Sequence, residues 1–280
     1  MDNLKEKELN LIAANVRINA LNAVYSAGSG HIGGSLSIAD ILTVLYYDEM
    51  NIETSNPKWS ERDRLVLSKG HCTPALYGVL SEKGFFPKEE LSNFRNINSM
   101  LSGHAEINVP GVDMSTGSLG QGLSAAVGMA LSGKVDKKEY RVFAILGDGE
   151  LEEGQIWEAA MSAGFYKLDN LVAIVDNNNL QIDGPLDSVM SAYPIDKKFE
   201  AFNWNVINID GHDMVSIKNA LDLAKEKKSM PTAIIAKTIK GKGVSFMENV
   251  AGWHGKPTNT EQHLQAIDEI NKYIQALEEN

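Results

Sequence analysis

The chain has 280 residues, of which 43% are hydrophobic and 22% are charged, with 24 glycines and 8 prolines. This composition is typical of a folded globular protein and excludes collagen-like and disordered chains. The formal net charge of -11 argues against a nucleic-acid partner, because a phosphate backbone would repel it. The single cysteine, Cys72, cannot form an internal disulfide, which fits a reducing compartment. The sequence has no signal peptide and no apolar run of about 18 residues, so we expect a cytoplasmic protein that does not enter a membrane.

The predicted secondary structure alternates between helices and strands. Residues 4–27 are predicted to form an amphipathic helix, because apolar side chains recur there every three or four positions. Short apolar runs then alternate with helical patterns, and these runs cover residues 64–67, 142–146, 171–175, 206–209 and 233–236. The alternation predicts an α/β fold in three layers, a mostly parallel sheet with helices on both faces. A last amphipathic helix is expected from residue 260 onward, and because no linker divides the chain we expect a single domain over residues 1–280.

The histidines follow an unusual pattern. Five of the six adjoin a glycine, in the pairs Gly30-His31, Gly70-His71, Gly103-His104, Gly211-His212 and His254-Gly255. A neighbouring glycine lacks a Cβ and leaves room for a ligand beside the imidazole. One such pair would be explained by a solvated turn, whereas five pairs favour a ligand site. Zinc is not expected, since the sequence has neither an HExxH motif nor a Cys/His cluster at ligand spacing.

Two glycine-rich loops could bind phosphate or another polar group. Residues 28–33 match the dinucleotide fingerprint GxGxxG, but that fingerprint follows a strand and here a predicted helix precedes it, so an NAD site is not expected. Residues 115–122 run into a helix of small residues, and amide groups at the start of that helix could meet the polar edge of a ligand. Close packing would explain the second set of glycines equally well.

A turn and an Asn-rich segment follow two neighbouring strands of the predicted sheet. Strand 142–146 ends in the Gly-Asp-Gly turn at residues 147–149, and strand 171–175 is followed by a segment that contains Asn178. One strand-helix-strand crossover, with its helix expected over residues 150–165, separates Asp148 from Asn178, so both side chains should face the same crevice. A carboxylate and an amide oxygen suit Mg²⁺, which commonly completes its shell with phosphate oxygens. An ordinary turn with an Asn-rich loop is the alternative.

The spacing of this turn and the Asn-rich strand end resembles the thiamine-diphosphate motif. Together with the segments SAGSGHIGGSLSIADIL, LSKGHCTPALYG, SGHAE, STGSLGQGLSAAVGMAL and AKTIKGKGVSFMEN, it resembles the N-terminal, diphosphate-binding part of transketolases over residues 8–256. The resemblance implies the thiamine-diphosphate-binding fold, and an enzyme that transfers a two-carbon ketol unit from a ketose or ketose phosphate to an aldose. It also implies that the loop at residues 115–122 is functional.

The resemblance implies a cofactor site built around a metal ion. Asp148, Asn178 and the backbone carbonyl of Leu180 would bind Mg²⁺, or Ca²⁺ or Mn²⁺ in its place, together with the diphosphate of thiamine diphosphate. The amide of Gly149 and the side chain of His71, which also counts among the implied catalytic residues, would contact the same diphosphate.

Further implied residues concern the rings of the cofactor and the sugar. Leu119 and Ile182 would line the thiazolium, and Gly117 would approach the aminopyrimidine. The catalytic residues His104 and His31 would face the donor's terminal hydroxyls and the carbonyl oxygen that gains or loses a proton, respectively. An imidazole suits that role because its ordinary pKa lies near neutral pH.

Two acidic residues and one departure from the family pattern complete the implied site. Glu153 and Glu158 match acidic residues that in the family link two cofactors by a proton path across the subunit interface, although exposed glutamates in a first helical turn would look the same. Many transketolases carry two histidines in a T-H-x-x-H-G pattern near the end of this region. Here Ala251 replaces the first histidine, and His254 alone remains as a cofactor-binding residue.

The resemblance also implies a partner. In transketolases a glutamate of a second, pyrimidine-binding domain on the neighbouring chain starts the chemistry, and we find no such domain here. We therefore expect a separate C-terminal subunit that carries it, in an α2β2 assembly. Three alternatives stay open: the alpha subunit of a 2-oxoacid dehydrogenase, a half-sized deoxyxylulose-phosphate synthase, and a non-catalytic cofactor-binding subunit. The Gly-His loops and the SLGQG segment favour transketolase, and the identity of the sugar is left open.

Overall fold

The computed structural model describes residues 1–279, and no helix in that range is long and apolar enough to cross a membrane. The helices are α1 (Asn3–Ala27), α2 (Gly33–Ser37), α3 (Ala39–Val44), α4 (Thr73–Lys83), α5 (Gln121–Val135), α6 (Gly154–Phe165), α7 (Leu186–Val189), α8 (Ile195–Ala201), α9 (Met214–Glu226) and α10 (Thr260–Glu279). The strands are β1 (Arg64–Leu67), β2 (Val142–Gly147), β3 (Leu171–Asn177), β4 (Leu180–Gln181), β5 (Gly184–Pro185), β6 (Asn205–Asp210) and β7 (Thr232–Lys237). Each predicted strand is confirmed, as are the first and last predicted helices.

The main sheet within the described residues has five strands in the order β1-β2-β3-β7-β6, and every pairing in it is parallel. The short strands β4 and β5 form a separate antiparallel hairpin directly after β3. The chain thus moves across the sheet from β1 to β3, continues to the edge strand β6, and returns to insert β7 between them. The predicted parallel α/β sheet is confirmed.

Side chains of the central strands alternate between two hydrophobic cores, one on each face of the sheet. On β2, Phe143 and Ile145 belong to the core under α1, α4 and α9, whereas Ala144 and Leu146 belong to the core under α5, α6 and α8. Successive residues of a strand point to opposite faces, so a strand that is covered on both faces must be apolar throughout. This explains the continuous apolar runs of the sequence and confirms the three layers.

The first helix ends where the sequence supplies a left-handed residue. The amide of Lys5 donates a hydrogen bond of 2.8 Å to the side chain of Asp2 and so caps the start of α1. At the other end Gly28 has a φ of 59°, and its amide donates to the carbonyl of Tyr25. Glycine adopts this conformation at little steric cost. Because α1 runs directly into residues 28–33, the GxGxxG segment has no strand before it, as the helical pattern of residues 4–27 predicts.

One predicted helix is shorter than expected. The pattern over residues 150–165 predicts one continuous helix, but the chain forms a 3₁₀ turn at Gly149–Glu152 and α6 begins only at Gly154. The extended backbone of Glu153 separates the two. The reason is the side chain of Glu150, which is buried and turned back toward the Gly-Asp-Gly turn rather than along a helix surface.

Candidate active site

The loops that follow β1, β2, β3 and β7 meet at one cavity of about 220 Å³ at the carboxyl edge of the sheet. This is the edge where ligands bind in open parallel sheets. Most of the residues expected to form the site line it: His31, His71, His104, Gly117, Leu119, Asp148, Gly149, Asn178, Leu180, Ile182 and His254. A larger open groove of about 1400 Å³ runs beside it along β6 and α9, but none of these histidines lines that groove. The smaller cavity is therefore the candidate active site.

The Gly-Asp-Gly turn and the Asn-rich segment lie side by side in this cavity. Asp148 is buried, and its two carboxylate oxygens accept hydrogen bonds from the amides of Gly149, at 2.9 Å, and Asn179. Asn179 has a φ of 62°, so the chain turns sharply after β3. This turn brings the side-chain oxygen of Asn178 to 3.1 Å from the amide of Leu180. The turn chemistry of both segments thus holds the predicted metal ligands in place.

The chemistry of this donor set fits a small divalent cation. Burial, followed by the nearby carboxylate of Asp176, raises the pKa of Asp148 to about 7. A cation bound at Asp148 would relieve this electrostatic cost, and Asn178 and Leu180 would add two further oxygen ligands of the kind that Mg²⁺ prefers. No cluster of three His, Cys, Asp or Glu side chains able to hold a metal occurs within residues 1–279. Asp148, Asn178 and Leu180 do not form such a cluster, because Asp148 is the one carboxylate among them.

A buried ion pair that the sequence patterns do not reveal lies beside the predicted metal ligands. Lys69 follows β1 and donates to Asp176 at the end of β3, with both side chains almost completely buried. Asp176 also accepts hydrogen bonds from Ser37, at 2.7 Å, and from the side-chain amide of Asn178, at 3.1 Å. Burial alone would raise the pKa of Asp176, but the Lys69 ammonium holds it below its ordinary value. Asp176 is thus ionised and accepts a hydrogen bond from the side-chain nitrogen of Asn178. The side-chain oxygen of Asn178 therefore points away from Asp176.

A second cation without a sequence signal, Lys240, lies on the cavity wall after β7. Its ammonium nitrogen is 3.0 Å from the carbonyl oxygen of Leu180 and 3.0 Å from Nδ1 of His254. Burial and then the neighbouring charge of Lys69 lower its pKa to about 8. An anion in the cavity would favour the charged form of Lys240, so this side chain can adjust its charge to the ligand.

The cavity gathers the imidazoles of four of the five Gly-His pairs, with His71, His104 and His254 around His31. The ring centroid of His31 lies 5.0 Å from that of His71, 6.1 Å from that of His104 and 5.4 Å from that of His254. Burial is the main cause that lowers the pKa of His31 to about 4 and that of His254 to about 3, and it lowers the pKa values of His71 and His104 as well. In the cavity without a ligand, the pKa values of these histidines therefore lie below the ordinary value near neutrality. Neutral imidazoles each offer one hydrogen-bond donor and one acceptor.

Glycines within residues 115–122, and Gly70 packed against Thr116, serve two different purposes. A Cβ at Gly122 would lie 2.4 Å from Oγ of Ser68, and a Cβ at Gly70 would lie 2.4 Å from Oγ1 of Thr116. These glycines are needed for close packing of the loops. Gly117 instead lines the cavity, where a Cβ would stand 3.2 Å from the ring of His104. Close packing thus explains Gly70 and Gly122, whereas Gly117 lies where a ligand in the cavity could approach it.

Glu150 is a further residue that the sequence patterns do not single out. Its buried carboxylate accepts hydrogen bonds from the amides of Gly120, at 2.9 Å, and Gly147, at 3.0 Å, and from the hydroxyl of Ser68. It therefore ties the loop before α5 to the Gly-Asp-Gly turn. Burial raises its pKa despite these donors. The one sequence feature that could identify Glu150 as a site residue is its position directly after the Gly-Asp-Gly turn. The pattern over residues 150–165 instead assigns it to a predicted helix.

Three expected features lie outside or at the margin of the cavity. Glu153 and Glu158 are exposed, on the outer surface at the start of α6, and do not line the cavity. Ala251 begins a 3₁₀ turn at Ala251–Trp253, and His254 lines the cavity directly after it although the first family histidine is missing. The pair Gly211-His212 lies elsewhere, with His212 against Asp40.

Comparison with known proteins identifies relatives of the chain. A family model described as "Transketolase, thiamine diphosphate binding domain" matches residues 9–271. The chain is 43% identical over 275 residues to one of the subunits of the apulose-4-phosphate transketolase of Phocaeicola vulgatus, covering 98% of each protein. It is 46% identical over 258 residues to 6-deoxy-6-sulfo-D-fructose transketolase subunit SqwG of a Clostridium species, covering 92% of this chain and 94% of that protein. The solved transketolase of Campylobacter jejuni is similar with a TM-score of 0.89 and 38% identity, over 94% of this chain but only 42% of its own.

Proposed function

This chain belongs to the family of transketolase thiamine-diphosphate-binding domains, and from that premise we propose that it is one subunit of a two-subunit transketolase. The observation that carries the proposal is the match to two proteins named as transketolase subunits. Each match extends over nearly the whole of this chain and nearly the whole of the relative. The same match favours transketolase over a 2-oxoacid dehydrogenase or a deoxyxylulose-phosphate synthase. The reaction is the transfer of a two-carbon ketol unit from a ketose to an aldose.

The proposed cofactor is thiamine diphosphate with Mg²⁺, or with Ca²⁺ or Mn²⁺ in its place. Asp148, Asn178 and the carbonyl of Leu180 would hold the metal, because they present hard oxygen atoms within one cavity. When bound, thiamine diphosphate supplies the nucleophilic carbon and the electron sink for the two-carbon fragment. The amide of Gly149 and the ammonium of Lys240 would bind the diphosphate, which a chain of net charge -11 can accept only through such a local positive site.

The histidines of the cavity would bind and orient the sugar and the cofactor. His71 would meet the diphosphate, while His31 and His104 would face the sugar. Nδ1 of His31 is buried and, among the residues described here, has no hydrogen-bond partner, so it is available to a hydroxyl or carbonyl oxygen of a ligand. Because these imidazoles are neutral, each can donate one proton in a hydrogen bond and accept another.

A partner subunit is proposed to cover one side of this site. Ile182, expected beside the thiazolium, is 66% exposed, although a residue that contacts an apolar ring should be shielded from water. On α6, Met161 and Phe165 are 58% and 76% exposed, and they share this helix with Glu158. Exposed apolar groups that adjoin functional residues are typical of an interaction surface. We infer that the partner carries the pyrimidine-binding domain, docks here, and completes an α2β2 enzyme whose proton path includes Glu153 and Glu158.

The donor sugar is proposed to be a ketose with an anionic group far from its carbonyl. The two relatives are named for apulose-4-phosphate and for 6-deoxy-6-sulfo-D-fructose, and both of those sugars carry a phosphate or sulfonate group. The roles proposed above for the residues that line the cavity concern the cofactor and the carbonyl end of the sugar. We therefore place the recognition of the anionic group, and the choice among such sugars, mainly on the partner subunit.

Ketol transfer should require both subunits. We expect the purified chain alone to transfer no ketol unit, and a mixture with its partner subunit to do so in the presence of thiamine diphosphate and Mg²⁺. The aldose released from the donor is measured by a coupled enzymatic assay. Omission of Mg²⁺ after treatment with a chelator serves as the control. Transfer by the chain alone, at the rate of the mixture, would overturn the two-subunit proposal.

The apolar surface of α6 should contribute to assembly. We expect Phe165→Ser to weaken binding of the partner subunit at least about tenfold, because burial of a phenylalanine side chain contributes about 1.5–3 kcal/mol. Sedimentation of the mixed subunits measures the affinity. Leu264→Ser is the matched control, since Leu264 is 64% exposed but lies on α10 at the other face of the sheet. Equal affinities of the two variants would place the interface elsewhere.

A further inference from the structure

The pair Gly211-His212 lies outside the cavity. His212 lies in the turn between β6 and α9, and this turn packs against the chain that leaves β7. A Cβ at Gly211 would stand 2.5 Å from Cγ2 of Thr238 and 3.1 Å from Cβ of Ala236. Only a glycine permits this approach, which explains why it precedes the histidine. The pair therefore brings an imidazole to the back of the candidate active site.

The hydrogen bonds of His212 select one tautomer. The backbone amide of Ile239 donates to Nε2 of His212 at 2.8 Å, and an amide N–H cannot accept, so Nε2 must be unprotonated. Nδ1 lies 2.7 Å from Oδ2 of Asp40 and must then carry the proton and donate it. The ring is thus neutral, and both of its nitrogens are occupied.

Asp40 is a fixed acceptor for this ring. It is buried on α3, and both of its oxygens bind the guanidinium of Arg17 on α1, one of them at 3.0 Å. Burial alone would raise the pKa of Asp40, but Arg17, together with the hydrogen bond from His212, holds it below its ordinary value. Nε of Arg17 donates to the carbonyl of Leu36 at 3.3 Å. Since bidentate pairs have a defined geometry, the orientation of the imidazole is set by the helices on one face of the sheet.

The backbone at Ile239, which binds His212, continues directly to residues of the candidate active site. Ile239 stands between Thr238, whose hydroxyl donates to Asp176, and Lys240, whose ammonium donates to the carbonyl of Leu180. We infer that His212 is a positioning residue, which holds the main chain at Ile239 and thereby places Lys240 against Leu180 and His254. The inference rests on the proposed function, because it assigns Lys240 to the diphosphate of the cofactor.

Other bonds keep this segment folded when His212 is replaced. The amide of Gly241 donates to the carbonyl of Gly33 at 3.0 Å, and the amide of Asn249 donates to the carbonyl of Lys240 at 2.9 Å. A substitution of His212 should therefore leave the fold intact and affect the placement of Lys240. This makes the effect measurable as cofactor affinity rather than as unfolding.

Calorimetric titration of the assembled enzyme with thiamine diphosphate and Mg²⁺ tests the inference. We expect His212→Phe, which keeps a ring but loses both hydrogen bonds, to weaken cofactor binding about tenfold, the size of one hydrogen bond. His212→Gln retains a donor and an acceptor and should bind within about threefold of the wild type. The control His263→Phe, at a histidine stacked on Tyr25, should bind like the wild type. Wild-type affinity of His212→Phe, or equal losses in both His212 variants, would overturn the inference.

A second measurement uses the wild-type chain and does not depend on any variant folding. The ¹⁵N chemical shifts of the His212 imidazole should report a neutral ring protonated at Nδ1. A ring protonated at Nε2, or at both nitrogens, at neutral pH would overturn the inference. If the assembled wild-type enzyme does not bind thiamine diphosphate at all, the proposed function fails. The tautomer measurement still decides whether His212 makes its hydrogen bonds to Ile239 and Asp40.

Discussion

Asp148→Asn should abolish Mg²⁺-dependent binding of thiamine diphosphate by the assembled enzyme. The substitution keeps the shape of the side chain but removes the only carboxylate of the proposed metal site, and we expect at least about a hundredfold loss of affinity. Calorimetric titration at a fixed Mg²⁺ concentration measures it. Asp183→Asn, at an exposed carboxylate in the turn between β4 and β5, is the matched control and should bind the cofactor like the wild type.

The same substitution should stabilise the chain when no cofactor is bound. Burial raises the pKa of Asp148 from 3.8 to about 7, so ionising this group costs folding free energy. That cost is absent below the unfolded pKa of 3.8, grows as the pH rises, and is complete above about 7. We expect Asp148→Asn to raise the melting temperature at pH values above this range and to leave it unchanged near pH 3.8. A lower melting temperature at alkaline pH would contradict the role given to burial.

Lys69→Met should be strongly destabilising. It leaves the carboxylate of Asp176 buried without its counter-ion, which costs about 3–5 kcal/mol of unfolding free energy in comparable cases. Urea denaturation at neutral pH measures the loss. Because the pKa of Asp176 lies below its ordinary value in the fold, the contribution of the pair is present at neutral pH and is lost as the pH falls through that folded pKa.

Two further variants separate the ion pair from general damage. Lys69→Met combined with Asp176→Asn should recover at least about half of the lost stability, because no uncompensated charge remains. Lys272→Met removes an exposed pair with Asp268 on α10 and should leave the unfolding free energy unchanged. If Lys69→Met were no more destabilising than Lys272→Met, the buried pair would not be the support that we describe.

The predicted site residues that line the cavity are marked in the sequence by local features. Asp148 and Asn178 follow adjacent parallel strands, and parallel pairing brings such positions to the same edge whatever the rest of the chain does. His71 and His254 are recognised through their glycine neighbours, since a glycine beside an imidazole shows in the sequence. Local patterns of this kind can be interpreted without knowledge of the tertiary structure.

The site residues that the sequence does not reveal depend on contacts between distant segments. Lys69 and Asp176 are separated by 107 positions, and Lys240 and Leu180 by 60. Nothing in either local segment marks these side chains as partners. The spacing of Glu150 fits a helix, but the amides of Gly120 and Gly147 turn its carboxylate inward.

The sequence by itself determined the parallel α/β sheet and the positions of the motifs, because these follow from periodicity and from residue types at strand ends. The cofactor class followed from the resemblance of those motifs to transketolases. Only the tertiary structure decided the charge state of the site. The pKa of His31 falls to about 4 and that of Asp148 rises to about 7 chiefly through burial, and burial depends on how the loops close over the cavity. The inferred role of His212 likewise depends on the tertiary structure, since its hydrogen-bond partners, Asp40 and Ile239, come from other parts of the chain.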